Sequence, residues 1–102
     1  MEKKDRHELY NKLDKKLGHK HQLIILIEEC GELIRASTKV LRYGLENEKV
    51  CENFVEELGD VEICIETMRT ITKIKDLDAR VNNSKKFKLL RVKKRLEDKE
   101  DL

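Results

Sequence analysis

Ile27-Glu28-Glu29-Cys30-Gly31-Glu32-Leu33 is answered 28 residues later by Val55-Glu56-Glu57-Leu58-Gly59-Asp60-Val61. Each copy spells apolar, Glu, Glu, any residue, Gly, acid, apolar, and each lies inside a longer stretch where apolar residues recur at helical spacing. Residues three or four apart share a helix face, so each copy directs at least two carboxylates the same way. Like charges at that spacing destabilise a helix by about 0.2–0.5 kcal/mol per pair. Doing so twice points to a positive charge held between the copies, and carboxylate oxygens suit a hard divalent cation.

The apolar periodicity on either side of the two copies gives four helices. The first spans about Asp5 to Leu17, with Leu9, Leu13 and Leu17 on one line and Gly18 as its stop. The second runs from about Lys20 to Tyr43, carries Leu23, Ile27, Cys30, Ile34 and Leu41 as its apolar stripe, and ends at Gly44. The third runs from about Glu46 to Ile74 along Val50, Phe54, Val61, Cys64 and Met68. The fourth begins at Leu77 or Asp78 and reaches Leu96, with Leu89, Val92 and Leu96 as its contact, before fraying into the charged tail Glu97–Asp101. Connections this short make consecutive helices antiparallel neighbours. The expectation is an all-α antiparallel bundle in a single domain spanning residues 1–102.

Composition agrees with that reading. The 102 residues are 43% charged and 4% aromatic, with no proline and four glycines, which suits amphipathic helices rather than a sandwich or barrel. No apolar run approaches the length of a membrane span, and Met1-Glu2-Lys3-Lys4-Asp5 lacks the apolar segment of a signal peptide. Cys30, Cys51 and Cys64 are odd in number and form no CxxC pair, as in a reduced, cytoplasmic protein. The net charge of +2 hides a segregation: residues 1–21 carry +3, residues 22–77 carry −5 and residues 78–102 carry +4. An acidic middle between basic ends would suit a metal-dependent site for a polyanion, although charged helix faces in solvent are the preferred reading of the segregation alone.

The position of the acids against the apolar lines is sharper. The third helix reads Val50, Phe54, Glu57, Val61, Cys64, Met68, so Glu57 stands where an apolar residue is expected. In the second helix Gln22, Ile25, Glu29, Glu32 and Ala36 form one strip that mixes acids into a partly apolar face. A buried carboxylate needs protonation, an ion pair or a metal. Glu29, Glu32, Glu57 and Asp60 are therefore the candidate ligands, and Glu28 and Glu56, about 100° further round their helices, are helpers or surface acids. Gly31 and Gly59 occupy the same place in each copy, and an interior helix glycine costs about 0.5–1 kcal/mol against alanine. They imply room for a ligand, a close backbone approach or a tight helix crossing.

The remaining polar residues carry less. His7, His19 and His21 put no two imidazoles beside a third ligand, which argues against zinc and for solvent. Gln22 lies on the face of Glu29 and reads as a surface residue, with contact to a base or sugar as the alternative. Lys88, Arg91 and Arg95 form an i, i+3, i+7 row beside Lys85 and Lys86. Such a row neutralises phosphates or solvates its helix.

Glu29-x-x-Glu32 and Glu57-x-x-Asp60, with 24 residues between, resemble the signature of the MazG-like all-α nucleoside triphosphate pyrophosphohydrolases. The doubled acids, the strings Glu-Cys-Gly-Glu-Leu and Glu-Glu-Leu-Gly-Asp-Val, and the lead-in Gln22 are similar to that superfamily over residues 19–70. The resemblance implies Mg²⁺ (or Mn²⁺) on Glu29, Glu32, Glu57 and Asp60, and cleavage of an NTP or dNTP to the monophosphate and pyrophosphate. It also implies a homo-dimer or homo-tetramer whose helices pack as four-helix bundles. Glu28 or Glu56 would orient or deprotonate the attacking water, with Glu28 preferred. The family's downstream Asn, Lys and Arg find only a loose echo in Asn82-Asn83-Ser84-Lys85-Lys86-Phe87. Lys86 is the first choice for a phosphate contact, followed by Asn83 and Arg91. For stacking a base, only Tyr43, Phe54 and Phe87 are available.

Two other readings compete. A non-catalytic helical protein would keep the acids for metal, nucleotide or a basic partner. A di-iron bundle pairs Glu with Glu-x-x-His, and no Glu-x-x-His occurs here. Neither a membrane nor a nucleic acid is an expected partner.

Overall fold

In a computed structural model, residues 1–98 are described, and they fold into four helices with no strand among them. These are α1 (Lys3–Leu17), α2 (His19–Tyr43), α3 (Glu48–Ile71) and α4 (Leu77–Glu97). The all-α expectation holds. The helices fall into two compact units, Met1–Thr72 and the chain from Lys73 onward.

In the first unit α1 and α2 are separated by Gly18 alone, which takes φ +89°. An L side chain there would be strained, so glycine makes the reversal possible. Gly44 closes α2 in the same way, at φ +82°. The start of α3 lies two residues later than expected because Asn47 caps it, its Oδ1 accepting from the Val50 amide at 3.2 Å. The α2–α3 pair is the main packing of this unit, and α1 lies against both. Its core is small: Tyr10, Ala36, Val50, Val61, Cys64 and Ile71, with Gln22 and Thr67 as buried polar residues.

Two apolar lines differ from expectation. On α2 the stripe Leu23, Ile27, Cys30, Ile34 and Leu41 is exposed, Ile34 at 69% and Leu41 at 90%. Gln22, Glu29 and Ala36, each two turns apart, lie on the shielded side with Leu26, Leu33 and Val40. The helix is apolar on two sides, and α3 covers the one that carries the acids. On α1, Leu9, Leu13 and Leu17 are exposed while Tyr10 is buried. The inward line there is Arg6, Tyr10 and Asp14, which the leucine pattern conceals. Tyr10 and Arg6 both donate to Glu66 of α3, at 2.8 and 2.6 Å, which ties α1 down by a polar contact.

The second unit is dominated by α4. Asp76 precedes it in the left-handed region (φ 55°), and none of its own residues is buried. Leu89, Val92 and Leu96 therefore make no core contact here and stay open. The helix includes Glu97, and Asp98 caps it; residues 99–101 of the expected charged tail lie outside the described residues.

Candidate metal centre

Glu29 of α2 meets Glu57 and Asp60 of α3. One carboxylate oxygen from each lies within 4.8 Å of the others, and Glu29 and Glu57 are half-buried while Asp60 is exposed. The heptad Gln22–Glu29–Ala36 directs Glu29 at α3, and Glu57 takes the core position that the apolar line predicts. Its Oε2 is fully shielded and has no hydrogen-bond partner. A buried carboxylate oxygen without a donor is costly, and a cation would remove that cost. No other acid, histidine or cysteine cluster of this kind occurs among the described residues.

Burial pushes the Glu29 carboxyl above the usual carboxylate range, and the charges of Asp60 and Glu57 push it further. Cys64 is buried nearby. Burial raises its thiol, followed by the charges of Glu29 and Asp60. With no cation bound, a thiol so placed stays protonated near neutral pH. The donor set is three carboxylates, which selects a hard cation. Three oxygens that share one cation lie at most about 4.0–4.5 Å from one another for Ca²⁺ and about 3.5–3.6 Å for Mg²⁺. A span of up to 4.8 Å therefore needs a closure of a few tenths of an ångström for the first and of about 1 Å for the second.

The other expected residues fall out unevenly. Glu32 stands outside the three-acid group and turns toward Arg35, Oε2 to Nη1 at 3.5 Å. Glu28 and Glu56 are exposed beside the group. Gln22 is buried rather than a surface residue, because it begins the inward heptad of α2. Asn83, Lys86 and Arg91 are exposed on α4, and Asn83 and Arg91 line one shallow depression of that helix that Lys86 does not join. Lys86 projects from a different side of the helix. Of the histidines, His19 and His21 are exposed and His7 is half-buried; His19 contacts Asp14, and the His7 ring lies near Tyr10.

A cβ at Gly31 or Gly59 would meet nothing within 4 Å. Among the described residues neither glycine serves a tight helix crossing or a close backbone approach. The space beside each is open. The polar knot Arg6–Tyr10–Glu66 is a residue group that the sequence pattern does not reveal, since Glu66 lies 56 residues from Tyr10.

Compared with known proteins, the chain matches no family model, no curated protein and no solved structure.

Proposed function

We propose that the chain is a divalent-cation-dependent nucleoside triphosphate pyrophosphohydrolase that releases the monophosphate and pyrophosphate. The observation that carries this reading is the convergence of Glu29, Glu57 and Asp60 from two helices, with a shielded Glu57 oxygen that lacks a donor. Mg²⁺ (or Mn²⁺) fits the donor set, and Glu29, Glu57 and Asp60 would hold it, with Glu32 within one turn to join by leaving Arg35. When bound, the ion offsets the negative charge of a triphosphate and favours ionisation of water. Glu28, exposed beside Glu29, is assigned to orient the attacking water and accept its proton, with Glu56 in the equivalent place on α3. The resemblance of the two acidic motifs to the MazG-like superfamily supports the reaction class.

The same reading makes the protein a homo-dimer or homo-tetramer. Its support is the open stripe Leu23, Ile27, Ile34 and Leu41, a run of apolar surface that a helix from a second copy would cover. No described helix is long and apolar enough to cross a membrane. We place the protein in the cytoplasm on its unpaired cysteines.

The test is pyrophosphate release from the common and modified NTPs and dNTPs with Mg²⁺ and with Mn²⁺. Turnover of at least one nucleotide is expected, reduced by about 100-fold or more in Glu57→Ala and Asp60→Ala. Thermal stabilisation by metal or nucleotide without any product would favour the non-catalytic sensor instead.

A further inference from the structure

The unit from Lys73 onward holds a second feature, independent of the acidic centre. Helix α4 carries eight Lys/Arg against two Asp/Glu, a net +6 over 21 residues, and none of its residues is buried. Arg80, Asn83, Ser84, Phe87, Lys88 and Arg91 line one shallow depression along it. At about 100° per residue these six fall within roughly 140° of arc. Lys94 and Arg95 fall within the same arc, Lys86 flanks it on one side and Lys85 on the other, and Leu89, Val92 and Leu96 lie behind it. Phe87 is 81% exposed in the middle of the arc. The described structure sets no acid against Arg80, Lys88 or Arg91.

We propose that α4 is a duplex-DNA-binding helix that enters the major groove through the Arg80–Asn83–Ser84–Phe87–Lys88–Arg91 face. The helix is roughly 31 Å long, and its diameter of about 10–12 Å matches a groove about 12 Å wide. The side chains on the face are those that read base edges: Arg and Lys toward guanine, Asn toward adenine, Ser toward either, Phe against a thymine methyl. Cations on both flanks meet the two phosphate backbones that border the groove. An acidic-lipid surface is the poorer fit. A helix lying on a membrane segregates apolar from basic residues, whereas here Phe87 and Leu90 sit apart from Leu89, Val92 and Leu96, and cations surround the helix. The sequence offers basic ends but no nucleic-acid-binding motif, and spacing within α4 shows neither its exposure nor the face its cations frame.

The experiment is fluorescence anisotropy of a labelled mixed-sequence DNA duplex of about 20 base pairs, titrated with the full chain at about 50–200 mM salt. Binding is expected to weaken steeply with salt. The triple variant Arg80→Ala/Lys88→Ala/Arg91→Ala should bind at least about tenfold more weakly at 100 mM, with a salt slope shallower by up to about three. Far-UV circular dichroism checks that the variant stays helical. Lys12→Ala/Lys15→Ala/Lys16→Ala removes the same charge from α1 and should leave affinity within about twofold. The proposal is overturned if the duplex does not bind at 50 mM salt or if the α1 and α4 triples lose affinity equally. It also falls if single-stranded DNA or phosphatidylserine vesicles bind as tightly as the duplex.

Discussion

Glu29 and Glu57, on two different helices, hold carboxylate oxygens within 4.8 Å of each other, with Asp60 closing the group. Two half-buried like charges at that distance repel by about 1–3 kcal/mol for an effective dielectric between bulk water and the protein surface. Solvent screening brings the net effect toward the lower figure. Glu29→Gln removes one charge and keeps the shape. In chelator it should raise stability by ~1 kcal/mol, and it should abolish the gain in melting temperature that Mg²⁺ or Ca²⁺ gives the wild type. Calorimetry with and without metal reads both. A variant that is destabilised in chelator, or still stabilised by metal, removes the cation-centre reading.

Acid should act on that group with a definite sign. The Glu29 carboxyl is raised by burial and by Asp60 and Glu57, so the folded state binds its proton more tightly than the unfolded chain does. Lowering the pH through its raised range therefore relieves repulsion and stabilises the metal-free group. The same protonation competes with cation binding, so the metal-induced thermal shift should shrink over that range. Melting curves across the mildly acidic range, with and without Mg²⁺, separate the two trends.

Glu66 should respond in the opposite direction. The Arg6 guanidinium and the Tyr10 hydroxyl hold its carboxyl down to about 2, against an ordinary value of 4.5. A depressed carboxylate contributes stability above the unfolded value, and that contribution is lost as the pH falls from 4.5 toward about 2. Glu66→Gln should be less stable than the wild type at neutral pH, with the gap narrowing across that window. Acid denaturation of both proteins, followed by circular dichroism, measures it. A gap that stays constant down to pH 2 would mean that the knot joining α1 to α3 contributes nothing through its charge.

The glycines of the repeated phrase give a simpler test. With nothing within 4 Å of a Cβ at either position, alanine at Gly31 or Gly59 meets no clash in the chain. Each substitution should stabilise by about 0.5–1 kcal/mol through helix propensity alone. Urea denaturation of Gly31→Ala and Gly59→Ala reads the change. A loss of stability or of activity at Gly59→Ala would show that the open space there is used by something other than this chain's own helices.

On α3 the line Val50, Phe54, Glu57, Val61, Cys64 and Met68 is the side that packs, and it holds a single polar residue. Glu57 stood out for that reason, and its carboxylate is the one with a shielded, unpartnered oxygen. On α2 the same reasoning misled, because Leu23–Leu41 and Leu26–Val40 are both apolar and periodicity does not say which side a neighbour covers. Choosing the more hydrophobic side left Gln22 on the surface, whereas the acid-bearing side faces α3. Tyr10 was hidden for a related reason: three leucines in register mark another side of α1, and a polar contact to Glu66, 56 residues away, has no local signature. Glu32 shares a face with Glu29, yet its rotamer and the neighbouring Arg35 decide where the carboxylate points, and neither is encoded in spacing.

The uncovered stripe of α2 leads to the last prediction. A face that includes Ile27, Ile34 and Leu41 exposes far more apolar area than single surface leucines account for, and helix association is the ordinary remedy. The wild type should sediment at a multiple of the 12.1 kDa chain mass, with a melting temperature that rises with protein concentration. Ile27→Glu/Ile34→Glu places charges in the middle of the stripe without touching Ala36 or Glu29 on the opposite side. It should drive the protein to the monomer by analytical ultracentrifugation while leaving its helical content in place. If the wild type is already monomeric at about 100 μM, where even a weak interface would populate the dimer, the stripe is not a self-association surface.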